Sequence, residues 1–375
     1  MTQNELGASP TAVVDLDAIA HNVAVLREHA GSAAVMAVVK ADGYGHGLER
    51  VARALDSADA FGVASLDDAE RLRAAGLKQR IVLLSGFDEP GDLDALRRLD
   101  VEPVLHHDSQ LEILESAEPA GPAGATGAGG LRCWIKLDTG MHRLGFAPER
   151  AQEIRQRLAQ LDSIQQPPAW MTHFARSDEF DEQATGDQIA RFESALAALG
   201  GDQGGACALA NSAGVLGWPA SHQNWVRPGG ALYGISVVAG RSGMDFGLRP
   251  AMTLGTRLIA VNRVRRGEPI GYGGDYRAPE DMTVGVAAIG YGDGYPRHAP
   301  SGTPVLVNGS MVPLIGRVSM DLMTLDLRSQ PEAKVGDPVI LWGEGLPVET
   351  IAELAGTIGY ELVCSITRRV RFLER

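Results

Sequence analysis

The chain is poor in cysteine, in basic residues relative to acidic ones, and in long hydrophobic runs. Its 375 residues include three cysteines, Cys133, Cys207 and Cys364, which are far apart and form no CxxC pair. This spacing favours neither a disulfide framework nor a zinc ribbon, and free thiols in odd number are typical of a reducing compartment. We therefore expect a cytoplasmic protein without a metal site.

Positive charge is scarce as well. Lysine plus arginine total 34 against 47 aspartate plus glutamate, so the net charge is −13. Such a chain repels phosphate backbones and anionic lipid, so we expect neither nucleic acid nor membrane as a partner. No run is long enough to cross a bilayer, and the first ten residues lack the basic and apolar parts of an export signal. Any anionic ligand must be held by local donors such as main-chain amides or single arginines.

Between residue 34 and about residue 235, short β-branched runs alternate with amphipathic segments. This alternation is typical of βα units around a parallel sheet. Leu48, Val51, Ala52 and Leu55, for example, share one face of a predicted helix. Because the pattern contains eight strands, it favours a closed (β/α)8 barrel over an open sheet. The predicted barrel strands are 35–40, 60–65, 80–85, 101–106, 131–137, 169–175, 206–211 and 225–233.

The pattern changes after Gly240 to strands separated by turns, which predicts an all-β second domain. Asn308 and Gly309 between two apolar runs predict a type I′ hairpin turn. The expected domains are therefore a barrel over 9–240 and a β-rich unit over 241–375. The predicted strands of the second unit are 254–264, 283–289, 304–307, 311–327 and 338–342, with a helix over 348 to about 358 and a final run over 361–372.

A stretch rich in glycine, alanine and proline, 118–130, predicts a flexible surface loop between a barrel helix and the next strand.

The carboxyl ends of barrel strands are where reactive groups gather. The first predicted strand ends at Lys40, before a glycine-rich turn with Tyr44 and His46. A lysine in this position is either a solvated or ion-paired rim residue, or a partly desolvated amine that attacks an aldehyde to form a Schiff base.

Strands seven and eight predict an anion cup. Strand seven is followed by Ser212, which could act as a helix N-cap and as a hydroxyl donor, and strand eight holds Arg227, Gly229 and Gly230. The glycines would let main-chain amides approach a ligand. Each feature alone also fits a helix cap or a bend, but barrels often bind phosphate at these two strand ends.

Strand five exposes Lys136, Asp138 and Arg143, and strand six places His173 at its end. An arginine can bind a carboxylate through two parallel hydrogen bonds. A lone strand-end histidine is usually a core residue. Within this group of residues a ring-stacking or hydrogen-bonding role is favoured.

These motifs resemble those of the alanine racemase family, pyridoxal-phosphate enzymes with a fold-type III barrel and a β domain, and the likeness spans nearly the whole chain. AVVKADGYGHG is similar to the cofactor-lysine signature, which implies that Lys40 binds the cofactor covalently and Tyr44 contacts its phosphate. KLDTGMHRLG implies that Arg143 binds the substrate carboxylate and that Lys136 is the lysine often carbamylated in this family. By the same resemblance, the cofactor would also contact His173, Ser212, Arg227, Gly229 and Gly230.

In the second domain the resemblance implies further site residues. GYGGDY would supply Tyr272 as the second catalytic base, GYGDGYPR would supply Tyr291 near the entryway, and GRVSMDLM would supply Met320 and Asp321 at the pocket wall. Tyr360 in IGYELVCSI matches a second phosphate-contacting tyrosine.

The chain departs from the family pattern in two places. Ser319 stands where many relatives have cysteine, and the 118–130 stretch resembles an insertion. Neither departure touches a chemical role, so they leave the reaction type unchanged.

The implied activity is the interconversion of L-alanine and D-alanine, which supplies D-alanine for peptidoglycan. Lys40 would exchange the D-alanine proton, and Tyr272 of the other subunit of a homodimer would exchange the L-alanine proton. Two rival functions remain open: a broad-specificity racemase or decarboxylase of the same fold, and a non-enzymatic pyridoxal-phosphate carrier. Carriers on this barrel lack a β domain, whereas this chain has one.

Overall fold

A computed structural model describes residues 9–117, 130–200 and 205–375. The strands are β1 (Thr11–Val14), β2 (Ala34–Val38), β3 (Ala60–Val63), β4 (Arg80–Leu83), β5 (Val101–Leu105), β6 (Trp134–Lys136), β7 (Ala169–Met171), β8 (Cys207–Ala208), β9 (Trp225–Val226), β10 (Met252–Val264), β11 (Pro269–Ile270), β12 (Tyr276–Arg277), β13 (Met282–Ala287), β14 (Pro304–Val307), β15 (Ser310–Ile315), β16 (Met323–Asp326), β17 (Pro338–Trp342) and β18 (Arg371–Glu374). The helices are α1 (Leu16–Ala30), α2 (Lys40–Tyr44), α3 (Leu48–Ala54), α4 (Leu66–Ala74), α5 (Asp92–Leu99), α6 (Asp108–Ser116), α7 (Ala151–Ala159), α8 (Ala184–Ala197), α9 (Ser212–Gly217), α10 (Val348–Ala355) and α11 (Gly359–Cys364).

Strands β2 to β9 close into a parallel barrel in chain order, and β9 pairs with β2 to complete it. This confirms the predicted (β/α)8 architecture. The barrel interior is filled by inward-pointing side chains, among them Met36, Val104, Trp134 and Trp225, and the two tryptophan rings meet edge to face. The interior is therefore packed, and a ligand has room only at the ends of the barrel.

The amphipathic pattern of α3 is confirmed. Leu48, Val51, Ala52 and Leu55 are all fully buried against the barrel. Their spacing places them on one side of the helix, so this face packs inward while Glu49 and Arg53 stay on the outer side.

The remaining long sheet forms the second, β-rich unit, as predicted. Its strand order is β13-β16-β15-β14-β17-β10-β1-β18. The strand β1 was not predicted: it comes from the start of the chain yet pairs antiparallel with β10 and parallel with β18. The boundary at Gly240 stays a prediction.

The hairpin turn between β14 and β15 is confirmed, because Asn308 and Gly309 both have positive φ, 51° and 78°. Two predicted runs of the second unit each contain parts of two elements. The run 311–327 contains β15, a loop and β16, and the run 361–372 contains part of α11 and of β18.

The predicted surface loop, 118–130, lies outside the described residues except for Gly130. In the part of the chain that is described, we find no helix with the length and apolar character needed to span a membrane.

Candidate active site

A cavity of about 410 Å³ lies at the rim where the carboxyl ends of the barrel strands meet. Its described lining contains four cationic side chains, those of Lys40, Lys136, Arg143 and Arg227, and neither aspartate nor glutamate. In a chain of net charge −13 this is a local reversal of sign. The cavity is therefore suited to an anionic ligand. The other predicted site residues in the lining are Tyr44, His173, Ser212, Gly229, Gly230 and Tyr360.

Lys40 begins an unusual left-handed turn. Ala41, Asp42 and Tyr44 have φ values of 54°, 53° and 52°, and the glycine between them follows the same path. Left-handed backbone costs about 1–2 kcal/mol for each residue that carries a Cβ. Strain of this kind persists only where the surroundings enforce it, and it is concentrated at functional sites.

Two side chains hold this turn. His46 donates from Nδ1 to the carbonyl oxygens of Tyr44 and Gly43, at 2.8 Å and 3.1 Å. The Asp42 carboxylate accepts from the main-chain N–H of Leu48 and from the Arg71 guanidinium. The turn is thereby fixed, with Lys40 and Tyr44 both reaching the cavity.

The Lys40 amine is shifted toward its neutral form. Its partial burial, and next the nearby charge of Arg143, lower its pKa below the ordinary value of 10.5. A lysine with a lowered pKa offers a larger fraction of free amine near neutral pH, and only the free amine can attack an aldehyde or accept a proton.

The residues predicted to form an anion cup lie together in the cavity lining, and one predicted role is corrected. The main-chain N–H groups of Gly229 and Ala231 donate to Ser212 Oγ at 2.9 Å and 3.3 Å. The N-cap of α9 is Asn211, not Ser212, because Asn211 is extended and its side chain accepts from Gly214 N. Ser212 Oγ therefore receives main-chain donors at the cup instead of capping α9, and its hydroxyl is hydrogen-bonded to Tyr360.

Only glycine fits at two positions of the cup. A β-carbon on Gly229 would lie 2.5 Å from the Tyr44 hydroxyl, and one on Gly230 would lie 1.9 Å from the Tyr360 ring. The two tyrosine rings also meet each other edge to face. The hydroxyls of Tyr44, Ser212 and Tyr360 therefore gather around a glycine-walled space, which fits a phosphate group.

Arg227 lies at the floor of the cavity and is only 5% exposed. Its guanidinium donates to the carbonyl oxygens of Ala208, Thr172 and Leu209. Burial lowers its pKa to about 10, so it stays charged at neutral pH.

The charge of Arg227 also acts on its neighbours. Burial, and next the charge of Arg227, hold the pKa of His173 well below 6.5, so this imidazole is neutral. The same two causes, in the same order, lower the pKa of Lys136 to about 8.

Arg143 stands on a short loop after β6. The Asp138 carboxylate accepts hydrogen bonds from the main-chain N–H groups of Gly140, Met141 and His142, at 3.0–3.1 Å. Asp138 itself does not line the cavity; it folds the loop that presents Arg143.

Four predicted site residues do not line this cavity: Tyr272, Tyr291, Met320 and Asp321. They belong to the β-rich unit, where Tyr272 is 68%, Met320 51% and Tyr291 38% exposed. The Tyr291 turn and the Met320 loop are joined by main-chain hydrogen bonds, such as Gly292 N to Met320 O at 2.8 Å. A single chain thus contains two separate sets of predicted residues, one in the cavity and one on a surface.

Sequence reasoning missed Thr172 and Asn211, which also line the cavity. Both stand next to residues that were identified, Thr172 before His173 and Asn211 before Ser212. Their positions at strand ends would have identified them as candidate lining residues.

The fold and the cavity place the chain among barrel enzymes that carry a second, β-rich domain. Residues 14–237 match the family model "Alanine racemase, N-terminal domain", and residues 251–373 match "Alanine racemase, C-terminal domain". The chain belongs to the alanine racemase family.

Individual relatives agree. The chain is 51% identical over 361 residues to an alanine racemase of Shewanella loihica, covering 96% of this chain and 98% of the relative. The biosynthetic alanine racemase of Pseudomonas aeruginosa superimposes with a TM-score of 0.91 at 42% identity, over 98% of this chain and 100% of the other. A third structure, alanine racemase from Bartonella henselae, matches with a TM-score of 0.85 at 25% identity, over 98% of this chain and 100% of the other, and contains covalently bound pyridoxal phosphate.

Proposed function

We propose that this protein interconverts L-alanine and D-alanine with pyridoxal phosphate as cofactor, and so supplies D-alanine for peptidoglycan. The observation that carries the proposal is the cavity at the barrel rim. It combines four cationic side chains, the hydroxyls of Tyr44, Ser212 and Tyr360, and two positions that only glycine can occupy. The cofactor and its substrate together present a phosphate and a carboxylate, and both need such donors.

The residues present fit the cofactor. Tyr44, Ser212, Tyr360 and the glycines would hold its phosphate, and Lys40 would be the amine that joins it covalently. His173 and Arg227 would lie at its ring. When bound, pyridoxal phosphate withdraws electrons from the Cα–H bond of an amino acid and makes that proton acidic enough to remove.

Racemisation needs one base on each face of Cα. Lys40, with its lowered pKa, would hold and return the proton on one face. Tyr272 would serve the other face, and Arg143 would bind the substrate carboxylate through its fork of N–H donors. Lys136 lines the same cavity, and its pKa of about 8 favours the neutral amine more than an ordinary lysine does.

Arg227 favours racemisation over competing reactions. Its charge persists at neutral pH, and its N–H groups are engaged by three carbonyl oxygens. A guanidinium at the cofactor ring would keep its proton, so the ring would withdraw electrons less strongly than a ring paired with a carboxylate. Decarboxylation and transamination are correspondingly disfavoured.

The second base would come from another copy of the chain. Tyr272, Tyr291, Met320 and Asp321 do not line the cavity that contains Lys40 in the same chain. Exposed aromatic and methionine side chains on one face are typical of an interface. We therefore propose a homodimer in which each active site uses residues of both subunits.

The proposed location is the cytoplasm. Cys133, Cys207 and Cys364 are free thiols, which a reducing compartment preserves.

The test is to incubate the purified protein with pyridoxal phosphate and L-alanine in D2O and to separate the products by chiral chromatography. We expect equal amounts of both enantiomers at equilibrium, with deuterium at Cα, and no reaction by Lys40→Ala beyond the free cofactor's background. Carbon dioxide or pyruvate as the main product, or faster racemisation of a bulky amino acid, would contradict the proposal.

A further inference from the structure

Helix α8 contains a buried glutamine that no step of the proposed reaction uses. Gln188 is 2% exposed, and both ends of its side-chain amide are fully engaged. Its Oε1 accepts from Ala175 N at 2.9 Å, and its Nε2 donates to the His173 carbonyl oxygen at 3.0 Å and to Thr139 Oγ1 at 3.1 Å. One side chain thus joins the segment that bears His173 to the loop that presents Arg143.

The hydroxyl groups beyond Gln188 continue the connection into the barrel. Thr139 Oγ1 and Thr172 Oγ1 are 2.8 Å apart, and Thr172 Oγ1 donates to the Leu137 carbonyl oxygen at 2.9 Å. Since a hydroxyl has one proton, Thr172 must accept from Thr139, and Thr139 must accept from Gln188. The chain of donors runs in one direction only: Gln188, Thr139, Thr172, Leu137.

This direction requires an amide at position 188. A carboxylate of the same shape has no proton to give, so it would face the His173 carbonyl oxygen and the Thr139 hydroxyl as an acceptor. Leaving buried polar groups unpaired is costly, so the two segments would move apart. Gln188→Glu is therefore a nearly isosteric change that replaces the hydrogen-bond donor at this contact with an acceptor.

The loop on the other side of this contact has further anchors. Arg191, one turn along α8, donates to the Thr139 carbonyl oxygen at 2.9 Å, and Asp138 binds the following main-chain N–H groups. Arg143 comes directly after this anchored part. The main-chain position from which Arg143 reaches the cavity is thus set jointly by the Asp138 turn and by helix α8.

We propose that Gln188 is a positioning residue, which through Thr139 and the His173 carbonyl fixes where Arg143 and the His173 ring stand in the cavity. It touches neither substrate nor cofactor. This inference rests on the proposed function for its kinetic test, but its structural test does not depend on activity.

The structural test is hydrogen–deuterium exchange of the folded holoenzyme, read by mass spectrometry on peptides that cover 138–146 and 172–176. In Gln188→Glu we expect exchange in both segments to rise about tenfold, since local opening is easier when the contact is lost. Gln183→Glu is the matched control: it makes the same change of charge at an exposed position of the same helix region. Unchanged exchange in Gln188→Glu would overturn the proposal.

The binding test uses propionate, which has the carboxylate of alanine without its amine. We expect Gln188→Glu to bind propionate about tenfold more weakly in calorimetry and to raise the KM for L-alanine more than it lowers kcat. A purely structural role would lower the melting temperature while leaving propionate affinity and KM unchanged, and that result would also overturn the proposal. If the wild-type protein binds propionate but does not racemise alanine, the proposed function fails while this test still stands.

A second pair of variants tests the proposal if Gln188→Glu does not fold. Thr139→Val removes the central hydroxyl at equal volume, and Thr139→Ser keeps it. We expect Thr139→Val to reproduce the loss of propionate affinity and Thr139→Ser to restore it. The double variant Gln188→Glu/Thr139→Val should be little worse than either single one, because both break the same chain of donors. Additive losses would contradict a single connected network.

Discussion

Gly230 lies against the ring of Tyr360 so closely that a β-carbon on Gly230 would be 1.9 Å from Cε1 of that ring. No side chain other than hydrogen fits there while the ring keeps its place. The contact joins an element of the barrel, the turn after β9, to helix α11, which lies between β17 and β18 in sequence. The proposed phosphate cup therefore depends on contact between distant parts of the chain.

Gly230→Ala is expected to displace Tyr360 and weaken the binding of pyridoxal phosphate by about tenfold or more, since at least one phosphate hydrogen bond is lost. The measurement is a titration of cofactor-free protein followed by absorbance. Gly91→Ala is the control, because a β-carbon there meets no atom within 4 Å and Gly91 has an ordinary φ of −64°. Equal affinity of Gly230→Ala and the wild type would show that the cup lies elsewhere.

Arg227→Lys tests the buried guanidinium. Lysine cannot donate to three carbonyl oxygens spread across two strand ends, so polar groups remain unpaired inside the barrel. The free energy of unfolding is expected to fall by about 2 kcal/mol in urea denaturation. Arg98→Lys, at an exposed ion pair with Glu70, should change it by less than about 0.5 kcal/mol. Similar losses in both variants would refute a special role of the Arg227 contacts.

Lys136 makes stability depend on pH in a defined window. Its pKa is about 8 in the folded protein, against an ordinary value of 10.5. Between these values the unfolded chain binds a proton that the folded chain does not, so stability rises with pH there. Relative to Lys136→Met, the wild type should gain about 2 kcal/mol as the pH rises from about 8 to 10.

Urea denaturation at several pH values measures this gain. Lys78→Met, which removes an exposed lysine, is the control for the loss of one positive charge. A constant difference between wild type and Lys136→Met across the window would mean that Lys136 has no titrating amine there.

The barrel was predictable because its signals are local. The buried stripe of α3 and the short β-branched runs each depend on neighbouring residues, and the carboxyl ends of parallel strands necessarily meet at one rim. The sequence alone therefore predicts that Lys40, Arg143 and Ser212 share one site.

Other features depend on partners far away in sequence. The strand β1 is four residues long, and its partners Gly255 and Arg371 lie in distant segments, so no local pattern specifies it. The left-handed turn at Ala41 and Asp42 contradicts ordinary backbone preference and is held by His46 and Arg71. Tyr272 could be assigned only through family resemblance, because within one chain it lies outside the cavity.

The central claim is that each active site combines Lys40 of one chain with Tyr272 of another. Mixing the two inactive variants Lys40→Ala and Tyr272→Phe, after dissociation and reassembly, tests it most directly. Half of the dimers would be hybrids with one intact site each, so the mixture should regain about a quarter of wild-type activity.

The matched control mixes Lys40→Ala with Arg143→Ala, whose defects both lie in the barrel and leave no intact site in a hybrid. We expect activity to recover in the first mixture and not in the second. Hybrid dimers detected by native mass spectrometry without recovered racemase activity in the first mixture would contradict this expectation.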